Sequence, residues 1–417
     1  MLHRAIKVRL YPTAEQEVVL AQHFGCARWW WNFGLNKSNE TYRGTGKGLG
    51  RSALNALLPA LKKSEETIWL ADCYSQVLQA VTLNLTTAYK NFFEGRARFP
   101  RFKSKHSRQS IQYPQNVKVI GSSLKFPGRV GTVKAKIDRS IKGTIKTVTV
   151  SKEPSGKYYA SILTEVEGEN PTPSTDGKVI GIDLGIAHFA VTSDGCKVSK
   201  YDNLRHLAKH EKNLKRKQQK LARKEKGSNS RKKYGKVVAR VYERIRNSRA
   251  DFLHKLSRKL VNDNQVVVVE NLHVKGMVTL EDSLTLRYRN HNLAKAISDV
   301  GWGMFTNFLA YKLEKKGGKL VEIDRWFPSS KLCSNCYHQI DELLLSVRKW
   351  TCRRCGTYHD RDGNAATNIR AEGIRMLQAD GTAVSAEGGE IRPKGGRKSK
   401  LRHSPVSSEA YTILTSS

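Results

Sequence analysis

Val266-Val267-Val268-Val269-Glu270-Asn271-Leu272 is the stretch that decides how this chain folds. Four consecutive β-branched residues with no polar alternation do not suit a strand with one wet face. They predict a short strand buried on both sides, as in a parallel sheet covered by helices. Upstream, Lys178-Val179-Ile180-Gly181-Ile182-Asp183 has the same texture and stops at a turn on Gly185. A second strand through Ala190-Val191 follows, with a hairpin turn at Asp194-Gly195. Downstream, a helix near Gly303 to Lys315 precedes a strand near Lys319 to Ile323. Strands alternating with helices make this region α/β.

Between the two buried strands lie two long basic helices, Arg205 to Lys259, broken at Gly227-Ser228-Asn229-Ser230. Leu207, Leu214 and Leu221 repeat every seven residues on the first, and Val241, Ile245, Phe252, Leu256 and Leu260 form a stripe on the second. These 55 positions hold 21 Lys/Arg and four acids. Ordinary solvated faces mix both signs, so the hairpin reads as a polyanion-binding device.

The whole chain repeats that bias. Its 417 residues carry 74 Lys+Arg against 37 Asp+Glu, a net charge of +37. Nucleic acid is therefore the leading partner. An anionic membrane surface would need an amphipathic or lipidated anchor, and none is found. No apolar run approaches the ~18 residues of a membrane span, and the first twelve residues lack a signal-peptide core. Seven cysteines do not form a disulfide framework, so the chain reads as intracellular and reduced, with a cytoplasmic, nucleoid-associated location expected.

The N-terminal part has two textures. Residues 4–10 alternate as a strand and stop at Tyr11-Pro12. Residues 14–95 are helical, with Leu78, Val81, Leu85, Ala88 and Phe92 on one face. From Phe99-Pro100-Arg101-Phe102-Lys103 to about 175, short β-rich runs such as 117–120 and 147–150 predict a small β-barrel. The first strand is expected to return to it, making the helical segment an excursion. Pro171 to Gly177 reads as a linker.

Two constellations carry chemistry. Cys333-x2-Cys336 and Cys352-x2-Cys355, fifteen residues apart, have the spacing of a zinc ribbon. Four thiolates close a tetrahedral shell, so a site of this kind is structural. Cys26, Cys73 and Cys196 are left over and are expected to be buried small hydrophobes. The second constellation is three acids: Asp183 and Glu270, each ending an apolar strand, and Asp362, opening a helix after the ribbon. Taken singly, each can be an ordinary cap or surface carboxylate, and spacing alone does not decide whether they converge. If they do, their mutual repulsion calls for a hard divalent cation such as Mg2+ or Mn2+, the requirement of two-metal phosphoryl chemistry.

At this point the chain resembles the TnpB family of transposon-encoded, RNA-guided DNA nucleases, relatives of type V CRISPR effectors. The resemblance rests on Gly181-Ile182-Asp183-Leu184-Gly185, the strand ending at Glu270, Phe327-Pro328-Ser329-Ser330-Lys331-Leu332-Cys333, and Asp360-Arg361-Asp362-Gly363-Asn364-Ala365-Ala366-Thr367-Asn368. It extends to the Tyr11-Pro12 opening, Ala88 to Phe93 and Phe99 to Lys103, and covers about residues 1–375. It implies a multidomain α/β protein: a RuvC-like (RNase H-like) nuclease over 176–330 and 359–380, with the hairpin 205–259 and a zinc ribbon at 331–358. A β-barrel wedge domain would comprise 1–13 and 97–175, a helical recognition lobe 14–96, and a disordered basic tail 381–417.

The resemblance further implies Asp183, Glu270 and Asp362 as ligands of catalytic Mg2+, Asp362 being preferred to Asp360 on the family's Asp-x-Asn-Ala-Ala pattern. Guide RNA and target DNA would be the partners, with contacts expected from Gln79, Arg101, Lys103, Lys215, Arg216, Lys217 and Arg361. Gln79 aligns with a motif-reading glutamine, and glutamine can read adenine bidentately; an exposed helix position is the plainer alternative. Trp29, Trp30 and Trp31 could stack on bases, but at helical spacing one or two belong in the core. Tyr337 departs from the family, which carries glycine after the second cysteine. The expected activity is guided DNA cleavage; a guided DNA-binding regulator without cleavage, a transposition accessory protein and a strand-joining transposase are the alternatives.

Overall fold

A computed structural model describes residues 1–278, 291–344 and 346–381. The tail expected at 381–417 lies, from residue 382 onward, outside the described residues. The N-terminal half runs β1 (Leu2–Tyr11), α1 (Ala14–Thr45), α2 (Arg51–Ala56), α3 (Leu58–Leu61), α4 (Ser75–Phe93), β2 (Gln109–Tyr113), β3 (Lys118–Ile120), β4 (Ser123–Lys125), β5 (Thr132–Lys136), β6 (Thr144–Lys152) and β7 (Tyr158–Val166). β1 does return to the later strands, lying antiparallel between β7 and β5 in the order β2-β6-β7-β1-β5-β4-β3. The expected small β-barrel is present as a half-barrel. β2 and β3 are both edge strands, so the sheet is an open half-barrel. The physical reason is that β3 and β4 are three residues each, too short to carry the ladder around to β2.

The helical excursion starts at a capping box: Thr13 and Gln16 exchange side-chain-to-backbone hydrogen bonds. α1 and α4 then pack through Leu20, Phe24, Leu35, Leu78 and Leu85 into one core with the sheet. Of the tryptophan triplet, Trp30 and Trp31 are buried. The Trp30 indole donates to Thr82 Oγ1 (2.9 Å) and Trp31 to the carbonyl of Arg101 (3.0 Å).

The second half runs β8 (Val179–Leu184), β9 (His188–Ser193), β10 (Val198–Asp202), α5 (Ala208–Ala222), α6 (Asn229–Asp263), β11 (Val266–Glu270), α7 (Val274–Val278), α8 (His291–Val300), α9 (Trp302–Lys316), β12 (Lys319–Ile323), β13 (Lys349–Thr351), β14 (Tyr358–Asp360) and α10 (Arg361–Ala379). Five strands form a mixed sheet, β10-β9-β8-β11-β12, in which β8, β11 and β12 are parallel. All four valines of β11 are fully buried, as the unbroken run requires. Val267 and Val269 face α6 and α9, with Leu256, Leu260, Phe305 and Leu309. Val266 and Val268 face α10, with Ile369 and Leu377. The unit is a three-layer α/β/α sandwich.

α6 belongs to two neighbourhoods. Its first half pairs with α5 around Leu214, Val238, Val241 and Ile245, flanked by Leu207 and Leu221, so the heptad leucines do line a small separate core. Its second half packs on the mixed sheet. Midway, buried Glu243 accepts from Tyr159 (3.0 Å) and pairs with Lys157 (3.1 Å), fastening α6 to the half-barrel. Glu211 pairs with Lys295 and Asp251 with Lys255, so three of the hairpin's four acids are paired with lysines, two of them from outside the hairpin.

α10 lies on β8 with no side chain between them. An ideal Cβ on Gly181 would sit 2.2 Å from the Ala366 carbonyl oxygen and 2.6 Å from the Arg370 nitrogen. A Cβ on Gly373 would meet Val268 Cγ2 at 2.4 Å, and Val268 is the register partner of Gly181. Gly181→Ala should therefore destabilise the protein by about 1–3 kcal/mol, the range for overpacking. Gly235→Ala, in α6 with open space around it, should instead stabilise by about 0.5–1 kcal/mol. Thermal melts of the two variants should shift in opposite directions; equal shifts would contradict the packing described.

Candidate active site and cysteine cluster

Strand alternation decides which way the acids face. Asp183 shares the parity of Val179 in β8, and Glu270 that of Val266 and Val268 in β11; these valines pack against α10. Both carboxylates therefore lie on the α10 side, at the carboxyl edge of the parallel strands. α10 brings Asp362 to the same edge in its first turn. Burial, followed by the negative charges of Glu270 and Asp362, pushes the Asp183 carboxyl up to about 7, against the opposing pull of Arg361 and Arg348. Burial also raises Glu270, opposed by the Ser329 hydroxyl, which donates to Glu270 Oε1 at 2.6 Å. Arg348 Nη1 lies 3.6 Å from Asp362 Oδ1.

The nearby Asp360 is differently employed. Its Oδ1 caps α10 by accepting from the Gly363 amide (3.0 Å), and its Oδ2 pairs with Lys200 (2.8 Å). Burial opposes its ionisation, but Lys200 and the Gly363 amide hold the carboxyl below the ordinary aspartate range. Asp360 is thus spent on structure, while Asp362 remains beside the other two acids. Hard divalent cations suit three such carboxylates. Their oxygens are less tightly gathered than the cysteine sulfurs, which make up the one close cluster of three or more ligating side chains found among the described residues.

That cluster is Cys333, Cys336, Cys352 and Cys355, with all sulfurs within 4.8 Å of one another. Cys333–Cys355 and Cys336–Cys352 are each 3.6 Å apart. Zinc–sulfur bonds of about 2.3 Å imply tetrahedral edges of about 3.8 Å, so the quartet fits zinc. The two knuckles share one geometry. The Tyr337 amide donates to the Cys333 carbonyl and the Gly356 amide to the Cys352 carbonyl, both at 2.9 Å. Gly356 has φ +72°, and Tyr337 is forced to φ +56° in the left-handed region. His359 Nε2 lies 3.1 Å from Cys333 Sγ and supports that sulfur.

Two asparagines couple the cluster to the acids, and sequence reasoning missed them. Asn364 Nδ2 donates to the Leu332 carbonyl (2.7 Å), and its Oδ1 accepts from the Ser334 amide (3.0 Å). Asn368 Nδ2 donates to the carbonyls of Ser329 (2.7 Å) and Leu332 (2.6 Å). One turn apart on α10, they grip the loop that carries both Ser329 and Cys333. The signal was the i, i+4 pair of amides in a motif valued for its aspartate.

The remaining expected positions are scattered. Gln79 is half-buried on α4, and Lys215 and Arg216 are exposed on α5 beside half-buried Lys217. Arg101 and Lys103 are exposed; Asn32 brackets the Lys103 backbone, and Lys103 Nζ sits 3.5 Å from the Trp31 ring centroid. Arg361 donates to the Leu344 carbonyl (2.8 Å), so its guanidinium is engaged by the ribbon.

Residues 161–281 match the OrfB_IS605 family profile, described as "Probable transposase"; residues 302–369 match "Cas12f1-like, TNB domain", and 1–47 "Helix-turn-helix domain". Over that last stretch the structure has one strand and one continuous helix. A Streptomyces pristinaespiralis protein named as an RNA-guided DNA endonuclease is 39% identical over 94% of this chain and 92% of its own. An Escherichia coli K12 protein named RNA-guided DNA endonuclease InsQ is 33% identical over 90% of this chain and 93% of its own. The structure of the mini-RNA-guided endonuclease CRISPR-Cas_phi3 shares the fold, with a TM-score of 0.50 at 10% identity, covering 89% of this chain and 92% of that one. No helix among the described residues is long and apolar enough to cross a membrane.

Two outcomes follow from the geometry. Because the folded pKa of Asp183 is raised above the unfolded ~3.9, the folded state holds that proton more tightly, and stability declines as pH rises from about 4 to about 7. In buffer free of divalent cations, Asp183→Asn should raise the melting temperature by roughly 2–4 °C at pH 8, as for ~1 kcal/mol in a domain of this size, and by less at pH 5. An equal rise at both pH values would contradict the raised pKa of Asp183. Tyr337→Gly should relieve about 1–2 kcal/mol of left-handed strain, seen as slower loss of zinc to a chelator; faster loss would show that the tyrosine ring stabilises the knuckle.

Proposed function

The chain belongs to the TnpB family of RNA-guided DNA endonucleases, and we propose that it cuts target DNA at Asp183, Glu270 and Asp362 under the direction of a bound guide RNA. What supports this reading is the backbone placement: Asp183 and Glu270 end neighbouring parallel strands on the α10 side, and Asp362 lies in the first turn of that helix. The mixed sheet with helices on both faces supports a RuvC-like, RNase H-like nuclease over 176–330 and 359–380. On the same reading the half-barrel is the wedge domain, 14–96 the recognition lobe and 331–358 a ribbon closed by structural zinc. The protein acts in the cytoplasm, on the nucleoid.

Mg2+ or Mn2+ held by the three acids would supply Lewis-acid stabilisation of the phosphate and a water of lowered pKa. The chain's own part is positional. Ser329 fixes one oxygen of Glu270, leaving the other toward the site. Asp360 and Lys200 secure the start of α10 and with it Asp362. Arg348 and Arg361 temper the acids' mutual repulsion. The hairpin faces bearing Lys215, Arg216 and Lys217, together with Arg101 and Lys103, are assigned to phosphate contacts, which position nucleic acid without reading sequence. Gln79 is assigned to the motif beside the target.

Protein purified with its co-purifying RNA should cut a plasmid matching that RNA. Asp183→Ala should reduce cutting by on the order of 10^3-fold, since several kcal/mol of transition-state stabilisation is lost, and should still retain the RNA. Brief EDTA should stop cutting and Mg2+ restore it, with zinc retained by metal analysis throughout. Undiminished cutting by Asp183→Ala would overturn the site, and absence of a specific bound RNA would overturn the guided reading.

A further inference from the structure

The loop after β12 makes an unusual choice between two neighbouring aromatics. Phe327 turns inward against the α10-side core, while Trp326 is 79% exposed, the most exposed large apolar side chain among the described residues. An isolated exposed indole costs apolar hydration, and nothing in this loop's fold requires it. The loop itself is rigidly braced. Asp324 Oδ1 accepts from the Trp326 amide (2.7 Å), the Phe327 amide donates to the Asp324 carbonyl (3.1 Å), and the Ser329 amide donates to the Phe327 carbonyl (2.8 Å). The Ile323 carbonyl accepts from the Asn271 amide (3.0 Å), tying the loop's start to the residue after Glu270. Its end is Ser329, bonded to Glu270 and held by Asn368. The Trp326 backbone is therefore braced three residues before Ser329, whose hydroxyl bonds Glu270. The Arg325 guanidinium lies 5.2 Å from the Trp326 ring centroid, adding positive charge beside the π face.

Resting on the function proposed above, we infer that Trp326, with Arg325, is a positioning residue: it stacks on an unpaired base of target DNA and presents the adjoining phosphate to the acids. The ligand is a nucleobase with its phosphate. An exposed ring beside a guanidinium suits both, and stacking tolerates any base. Base pairing with the guide supplies most target affinity, so removing the indole slows cutting and leaves binding nearly unchanged.

The test uses the complete protein–guide RNA complex and a target carrying 2-aminopurine singly at positions around the cut. In an Asp183→Asn background, which keeps the strand intact, one or two positions in the DNA are quenched. Trp326→Ala abolishes that quenching and Trp326→Phe retains most of it. With Asp183 intact, Trp326→Ala slows single-turnover cutting roughly 5- to 100-fold, the range for losing one stacked base, while target affinity stays within about 2-fold. Trp326→Phe recovers most of the rate. The same probe in the guide RNA reports nothing; quenching there instead would reassign the indole to RNA and overturn the inference. Unchanged DNA quenching or a cutting rate within 2-fold in Trp326→Ala would also overturn it. If the protein with Trp326 and Asp183 intact binds its target without cutting, the nuclease reading falls first, an outcome distinct from a defect confined to the Trp326 variants.

Discussion

Backbone meets backbone where α10 crosses β8. Only glycine at 181 lets the Ala366 carbonyl and the Arg370 amide come so near a strand, and Gly373 does the same for Val268 on the neighbouring strand. That contact sets how closely the helix lies on the sheet. The rest follows from it. The first turn of α10 comes level with the strand ends, and Asp362 joins Asp183 and Glu270. Asn364 and Asn368 reach the loop of Ser329 and Cys333 from the same helix. One helix seated without a spacer thus sets the acids and anchors the cysteine cluster.

The cluster and the acids are parts of one assembly. The loop 329–333 is held by α10 asparagines, closed at one end by the cysteine quartet, and bonded to Glu270 through Ser329 at the other. Removing any of the three loosens the only described side-chain hydrogen bond of Glu270.

Those parts of this architecture that rest on local periodicity were legible in the sequence. The valine run gave a strand buried on both faces, and Leu207, Leu214 and Leu221 gave a hairpin with its own core. Paired CxxC spacings brought four sulfurs together because each knuckle is a local turn. Features that rest on distant partners were not legible. Whether the β-rich region closes depends on pairing between β2 and β3, and it stays open. Asn364 and Asn368 look like solvent-facing helix polars until the loop they hold is known. Gly181 looks like a flexible strand residue until the helix above it is in place. The choice of Asp362 over Asp360 rests on a resemblance; spacing could not show that Asp360 caps α10 and pairs with Lys200 while Asp362 lies 3.6 Å from Arg348.

The pairing of the hairpin's acids has a further consequence. With Glu211, Asp251 and Glu243 neutralised by lysines, and only Arg246 and Arg249 of the hairpin's arginines paired with outside carboxylates (Glu153 and Asp299), most of its lysines and arginines have no described carboxylate partner. Each one that meets a phosphate frees cations condensed along the nucleic acid, and the gain is the mixing entropy of small ions. Such a gain is indifferent to base identity and drains away as salt is added. The fold thereby separates the strength of holding from the choice of what is held, leaving the latter to base pairing and to the few side chains that touch bases.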